Sequence, residues 1–212
     1  MSAPPTSPEA VTATLRAGIL DGTYPGGTPL RQESIAAALG VSRMPVREAF
    51  RHLAAEGLII LHPHRGAVVA TLSAHELQEI YEMRAALEPL ALRLALPRLT
   101  KGDLGKAEEA LDAARDETNP ERLAALNWDF HHSLYQPADR PRLLATISNL
   151  HLNVDRYMRV VLTVMQHHSA SHAEHEAILE ACRARDEAAA TRRLEAHITH
   201  AGRQLVEFLG RT

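Results

Sequence analysis

Apolar residues first recur at helical spacing between Pro8 and Leu20, where Val11, Leu15 and Ile19 share one face. Ser7 precedes the run as an N-cap, and Pro8 suits the first helical position. The glycine-rich segment 21–27 ends it. Ile35, Ala36 and Leu39 then form a second apolar face, Gly40, Val41 and Ser42 break it, and Val46, Ala49, Phe50 and Leu53 restart helical spacing. Ser42 stands at the N-cap of this third helix. Pro45 lies inside its first turn, where the missing N–H removes no helix bond. Helix, short glycine-containing turn, helix is the spacing of a helix-turn-helix. Two β-prone apolar runs follow, 58–61 and 67–70, around His62, Pro63, His64, Arg65 and Gly66, which predicts a hairpin with a basic tip.

Beyond Ser73 strand alternation disappears and only helical periods remain. Ser73 with Glu76 has the capping-box spacing. Helices are expected over 76–98, 102–117, 120–135, 141 to about 167, 170–185 and 187 to about 209. The pattern predicts a mostly α protein: a winged helix-turn-helix in residues 1–72, then an all-α bundle of six to seven helices in 73–212. The Pro- and Ser-rich residues before Ser7 are expected to be disordered.

Composition narrows the function. The chain has 212 residues, 45% hydrophobic and 23% charged, and buries a real core. Its single cysteine, Cys182, excludes an internal disulfide and suits a reducing cytoplasm. The first residues lack the basic and apolar regions of a signal peptide, and no apolar run approaches the roughly 20 residues of a membrane span. The net charge of −3 divides into +1 for residues 1–72 and −4 for the remainder. That excludes indiscriminate coating of nucleic acid but allows a basic face on the first domain.

Candidate chemistry lies on both domains. Arg43, Arg47 and Arg51 recur every fourth residue as one ridge opposite Val46 and Phe50. Such a row is either a solvated face or a set of donors to guanine and phosphate. The hairpin that follows has the position of a wing, with Arg65 at its tip, and favours DNA. In the bundle, Arg84 interrupts the stripe Leu77, Ile80, Tyr81, Leu87, Ala91 and Leu94, so it needs an anionic partner. That partner is either Glu88 or a bound carboxylate or phosphate. Asn127 and His131 share a face with Leu123, Phe130 and Leu134. His175 sits with Ile178, Leu179 and Cys182, and His197 with Leu194, Ala201 and Leu205. These are either satisfied core residues or ligands of one metal. His132, His167, His168, His172 and His200 fall off the stripes and read as surface. No HExxH motif is present, and no inward Glu or Asp stands out as a general base.

The run 30–66, with VSRMPVREAF, EGLI and HRG, resembles the winged helix-turn-helix of the GntR superfamily of bacterial transcription regulators. EMRAALEPLA, NWDFHHSL, EHEAILEAC and RRLEAHI resemble the all-helical FCD-type effector domain of one GntR subfamily. The resemblance implies a dimer that binds a palindromic double-stranded DNA operator through Arg31, Ser42, Arg43, Met44, Arg47, Arg51, His64, Arg65 and Gly66. Met44 stands where many relatives carry Thr or Ser. It also implies a divalent metal, zinc or nickel, on Asn127, His131, His175 and His197, with Asn127 in place of the usual Asp. A small organic acid would bind that metal together with Arg84. The expected protein is a cytoplasmic, ligand-responsive transcription repressor rather than an enzyme. The alternatives are a metalloenzyme with a three-histidine site and a DNA-binding protein without effector.

Overall fold

The computed structural model describes residues 7–62, 66–165 and 168–209. The chain divides into two compact units, residues 1–71 and 72–212. The expected disorder before Ser7 and the wing-tip residues His64 and Arg65 lie outside the described residues.

In the first unit, α1 (Pro8–Leu20) starts where Ser7 Oγ accepts from the Ala10 N–H. Its Val11, Leu15 and Ile19 are buried, and it packs on α3 (Arg43–Ala55), which buries Val46, Phe50 and Leu53. Between them α2 (Gln32–Leu39) buries Ile35 and Ala36 and stops at Gly40, whose φ of 67° is left-handed. Ser42 occupies the N-cap position of α3 in extended backbone, yet its hydroxyl makes no capping bond to the helix.

Strands β1 (Pro29–Leu30), β2 (Ile59–His62) and β3 (Gly66–Val69) form an antiparallel sheet in the order β1-β3-β2. The hairpin is the expected one, whereas β1 has no signature in the sequence because two residues cannot display alternation. Gly66 has φ 87°, and a Cβ there would stand 2.7 Å from the Leu30 carbonyl oxygen. Only glycine lets β3 start this close to β1.

The second unit is all-helical. A full capping box between Ser73 and Glu76 opens α4 (Ala74–Ala95), and a 3-10 turn, Leu96–Arg98, follows it. Thr100 and Asp103 make a second capping box for α5 (Lys101–Arg115). Asn119 caps α6 (Pro120–Tyr135), and Pro137 falls in the 3-10 turn Gln136–Ala138 beyond it. Then come α7 (Pro141–Met165), α8 (His168–Arg183) and α9 (Glu187–Leu209). α8 stops short of the expected Arg185, which takes a left-handed φ of 57° and donates to the carbonyls of Leu96 and Leu99. Phe130, Leu134, Tyr135, Ile147 and Ile178 are fully buried at the centre. Among the described residues no helix is long and apolar enough to cross a membrane.

The inward stripe of α4 keeps Leu77, Ile80, Tyr81, Arg84 and Ala91 of the expected one and departs from it at two leucines. Leu77, Tyr81, Arg84, Glu88, Leu92 and Ala95 are buried, while Leu87 and Leu94 are only half-buried. The arginine's partner one turn on shares its inward position, so Glu88 and not Leu87 continues the stripe.

α4 packs along α9, and Gly202 is the point of closest approach: a Cβ there would stand 2.6–2.8 Å from Tyr81 side-chain atoms. Replacing Gly202 by Ala gains about 1 kcal/mol of helix propensity. Overpacking costs about 1–3 kcal/mol, and Tyr81 is itself buried. Gly202→Ala is therefore expected to lower the melting temperature by a few degrees. A melting temperature at or above the wild type would mean that Tyr81 moves aside.

Candidate functional site

Two groups of side chains carry chemistry, one in each unit. On α3, Arg43, Arg47 and Arg51 are exposed on the face opposite the buried Val46 and Phe50. Arg43 pairs with Glu33 at 2.5 Å, and Glu48 lies 3.0 Å from Arg51 and 3.8 Å from Arg47. Glu48 thus lies against the arginine ridge, because its side chain is within reach of arginines one residue before and three after. Glu56 is drawn away by Arg16 of α1. Met44, 57% exposed, opens this face, with the Arg47 guanidinium 3.0 Å from its Sδ. Arg31 is exposed at the start of α2. Gly66 is explained by its backbone and the approach of Leu30.

In the bundle three histidines converge. His131 of α6, His175 of α8 and His197 of α9 are buried, and His175 Nε2 stands 3.2 Å from His131 Nε2 and 3.1 Å from His197 Nε2. Two ligands of a tetrahedral zinc, each at about 2.0–2.1 Å, lie about 3.3–3.4 Å apart, so the spacing fits a bound ion. The donor chemistry agrees. Glu174 Oε2 accepts from His197 Nδ1 at 2.7 Å, which leaves Nε2 for the cluster. One proton on His175 Nε2 can bridge to only one of its two neighbours. A cation can satisfy all three nitrogens at once.

Burial holds the His131 and His175 imidazoles well below their usual pKa, reinforced for both by the neighbouring His197 and opposed at His131 by Glu88. Neutral imidazole is the form that binds a metal. Asn127, one turn before His131, is half-buried and shares with His175 the lining of a cavity of about 460 Å³ between α5, α6 and α8. His172 also lines it and is half-buried, with Nε2 3.3 Å from Glu176, so it is not the surface residue expected. His132 packs on Trp128, with ring centroids 5.2 Å apart, and His200 is exposed, while His167 and the side chain of His168 lie outside the described residues.

Arg84 takes the internal partner. Its Nε donates to Glu88 Oε1 at 2.6 Å, its guanidinium lies 4.7 Å over the Tyr81 ring, and its Nη2 donates to His151 Nε2 at 2.8 Å. Glu88 is fully buried, the internal one of the two partners expected for Arg84. Burial by itself would raise its carboxyl, but Arg84, with His151, holds it well below the usual carboxylate range. Tyr135 donates to Glu88 Oε2 at 2.7 Å and lies 3.0 Å from His131 Nδ1.

Sequence reading missed Tyr135, His151 and Glu174. Tyr135 follows His131 by one helical turn, and His151 follows Ile147 by one turn, so both had a local signal hidden among apolar neighbours. Glu174 lies beside His175 in sequence yet serves His197, a long-range pairing without any local mark.

Comparison with known proteins accounts for both units. Residues 8–69 match the model of bacterial regulatory proteins, gntR family, and residues 79–200 match the FCD domain. A probable D-xylose utilization operon transcriptional repressor of Paenarthrobacter nicotinovorans is 33% identical over 182 residues, 85% of this chain and 80% of that one. The HTH-type transcriptional repressor RspR of Escherichia coli K12 is 31% identical over 199 residues, 92% of this chain and 87% of that one. A crystal structure of a GntR-family transcriptional regulator from Pseudomonas syringae pv. tomato is 32% identical, covers 96% of this chain and 86% of that one, and superposes with a TM-score of 0.59. With one domain model on each unit and relatives over nearly its whole length, the chain belongs to the gntR family of bacterial regulatory proteins and is a transcription regulator with an FCD domain, not an enzyme.

Proposed function

We propose that the chain is a dimeric, ligand-responsive repressor that senses a small carboxylic acid at a divalent metal in the FCD domain. The observation that carries this reading is the convergence of three buried imidazole nitrogens from three helices, with His175 Nε2 3.2 Å from His131 Nε2 and 3.1 Å from His197 Nε2. His131, His175 and His197 would hold the ion, with Asn127 as the fourth protein donor. Bound there, zinc or nickel would supply a Lewis-acidic anchor for a carboxylate. All four donors are uncharged in their binding forms, so nothing in the ligand set offsets the ion's two positive charges. An anionic effector is favoured more strongly than it would be beside an Asp ligand. Arg84 is the proposed second contact of the effector, which would have to displace Glu88 or His151 from its guanidinium.

DNA would be read by α3 and the wing, through Arg31, Ser42, Arg43, Met44, Arg47 and Arg51 with His64, Arg65 and Gly66. Support comes from the exposed arginine ridge and from the uncapped α3 terminus, whose amide groups suit a phosphate. The Arg43–Glu33 and Arg51–Glu48 pairs are exposed and worth about 0–1 kcal/mol, little enough to be exchanged for phosphate contacts. A dimer places two such helices in successive major grooves when the half-sites lie about 34 Å apart. The effector controls affinity by binding better to one spacing than to another. Repression is proposed because both curated relatives described above are named as repressors.

Three outcomes are expected. With duplex DNA selected from a randomised library, Arg47→Ala should weaken binding by about 1–3 kcal/mol without altering the circular dichroism spectrum. Unchanged affinity would remove α3 from the reading head. Zinc or nickel at about 100 times its dissociation constant adds about 2.7 kcal/mol, so the melting temperature should rise by several degrees. EDTA should reverse the rise and His175→Ala abolish it; a rise that survives in that variant places the ion elsewhere. Finally, a panel of small carboxylic acids should include one that raises the melting temperature further and changes DNA affinity only when metal is present. A protein that binds metal but responds to no acid would make the centre structural.

A further inference from the structure

We propose that Tyr135 and Glu88 set the tautomer and ring orientation of His131, so that the buried Arg84–Glu88 pair serves the three-histidine centre as well as the packing of α4. This rests on the reading of that centre as a metal site. The direction of each hydrogen bond follows from its neighbour. Arg84 Nε lies 2.6 Å from Glu88 Oε1, and a guanidinium can only donate, so Glu88 is held as a carboxylate that can only accept. The single Tyr135 proton therefore points to Glu88 Oε2, 2.7 Å away. With that proton committed, the Tyr135 oxygen is an acceptor toward His131 Nδ1 at 3.0 Å, and Nδ1 must carry the imidazole proton. His131 Nε2 then presents a bare lone pair to the cluster, the state a metal ligand needs.

The arrangement is a carboxylate–histidine pair with a phenol inserted between the two groups. His197 has the direct version, with Glu174 on its Nδ1. Tyr135 lies on the same helix as His131, one turn on, whereas Glu88 comes from α4. His131 is thus oriented from a different helix than the one that carries it. Tyr135 and Glu88 are positioning residues: neither offers an atom to the three-nitrogen cluster, and both act through His131.

The test uses the full-length protein. Zinc affinity is measured by competition with a chromophoric chelator in the wild type and in Tyr135→Phe, which keeps the ring and deletes the hydroxyl. The variant is expected to bind zinc about 10–100-fold more weakly. Long-range ¹H–¹⁵N spectra of the metal-free wild type need no variant and report directly which ring nitrogen of His131 is protonated. The expected result is protonation at Nδ1, with a shift toward Nε2 protonation in Tyr135→Phe. Loss of packing alone would not move that signature. Wild-type protonation at Nε2, or unchanged zinc affinity in Tyr135→Phe, would overturn the inference while leaving the metal site in place. Wild-type protein that binds neither zinc nor nickel would overturn the metal reading and this inference with it.

Discussion

A carboxylate can stay ionised in the middle of this bundle only because a guanidinium lies one helical turn away. Glu88 has no exposed side-chain surface and Arg84 has 5%. Removing one partner of such a pair costs about 3–5 kcal/mol, because the other is left as an uncompensated buried charge. The pair therefore has to form together, and once formed it orients what surrounds it. Glu88 accepts from Tyr135 on α6, and Arg84 donates to His151 on α7. Two helices, α6 and α7, are thereby referenced to one charged pair on α4.

The histidine cluster inherits this order. His131 lies against Tyr135, and beyond it stand His175 and His197, the latter anchored by Glu174 at the far end. The network runs from a buried ion pair through a phenol and three imidazoles to a half-exposed carboxylate. Phe130 closes one side, its ring centroid 4.5 Å from that of His175, and helps exclude water from the nitrogens. Low dielectric surroundings keep His131 and His175 neutral, and the same surroundings would strengthen their interaction with a cation. The burial that depresses the pKa of the rings is thus what suits them as ligands.

The first unit solves a different problem. Its α1, α2 and α3 bury a compact apolar core, while the arginines of α3 remain solvated and only loosely paired with glutamates. Weak surface pairs keep that face soluble and leave it free to exchange partners. Strong buried pairs fix geometry in the second unit. The contrast in dielectric between surface and interior decides which role each set of charges takes.

Much of this was legible in the sequence because it is local. Periodicity placed α6 from Pro120 to Tyr135, the Ser73–Glu76 spacing gave a capping box, and glycine at position 40 marked the end of α2. The same periodicity put Arg84, His131, His175 and His197 on inward faces. It could not say that His175 Nε2 would come within 3.2 Å of both His131 Nε2 and His197 Nε2, since that depends on the rotation and translation of α6, α8 and α9 against one another. Nor could it choose between Glu88 and an outside anion for Arg84, or reveal that Glu174 serves His197. Strand β1 was equally silent, being two residues defined only by pairing with β3. A helical period fixes which way a side chain faces, whereas the atom it meets is set by packing between helices far apart in sequence.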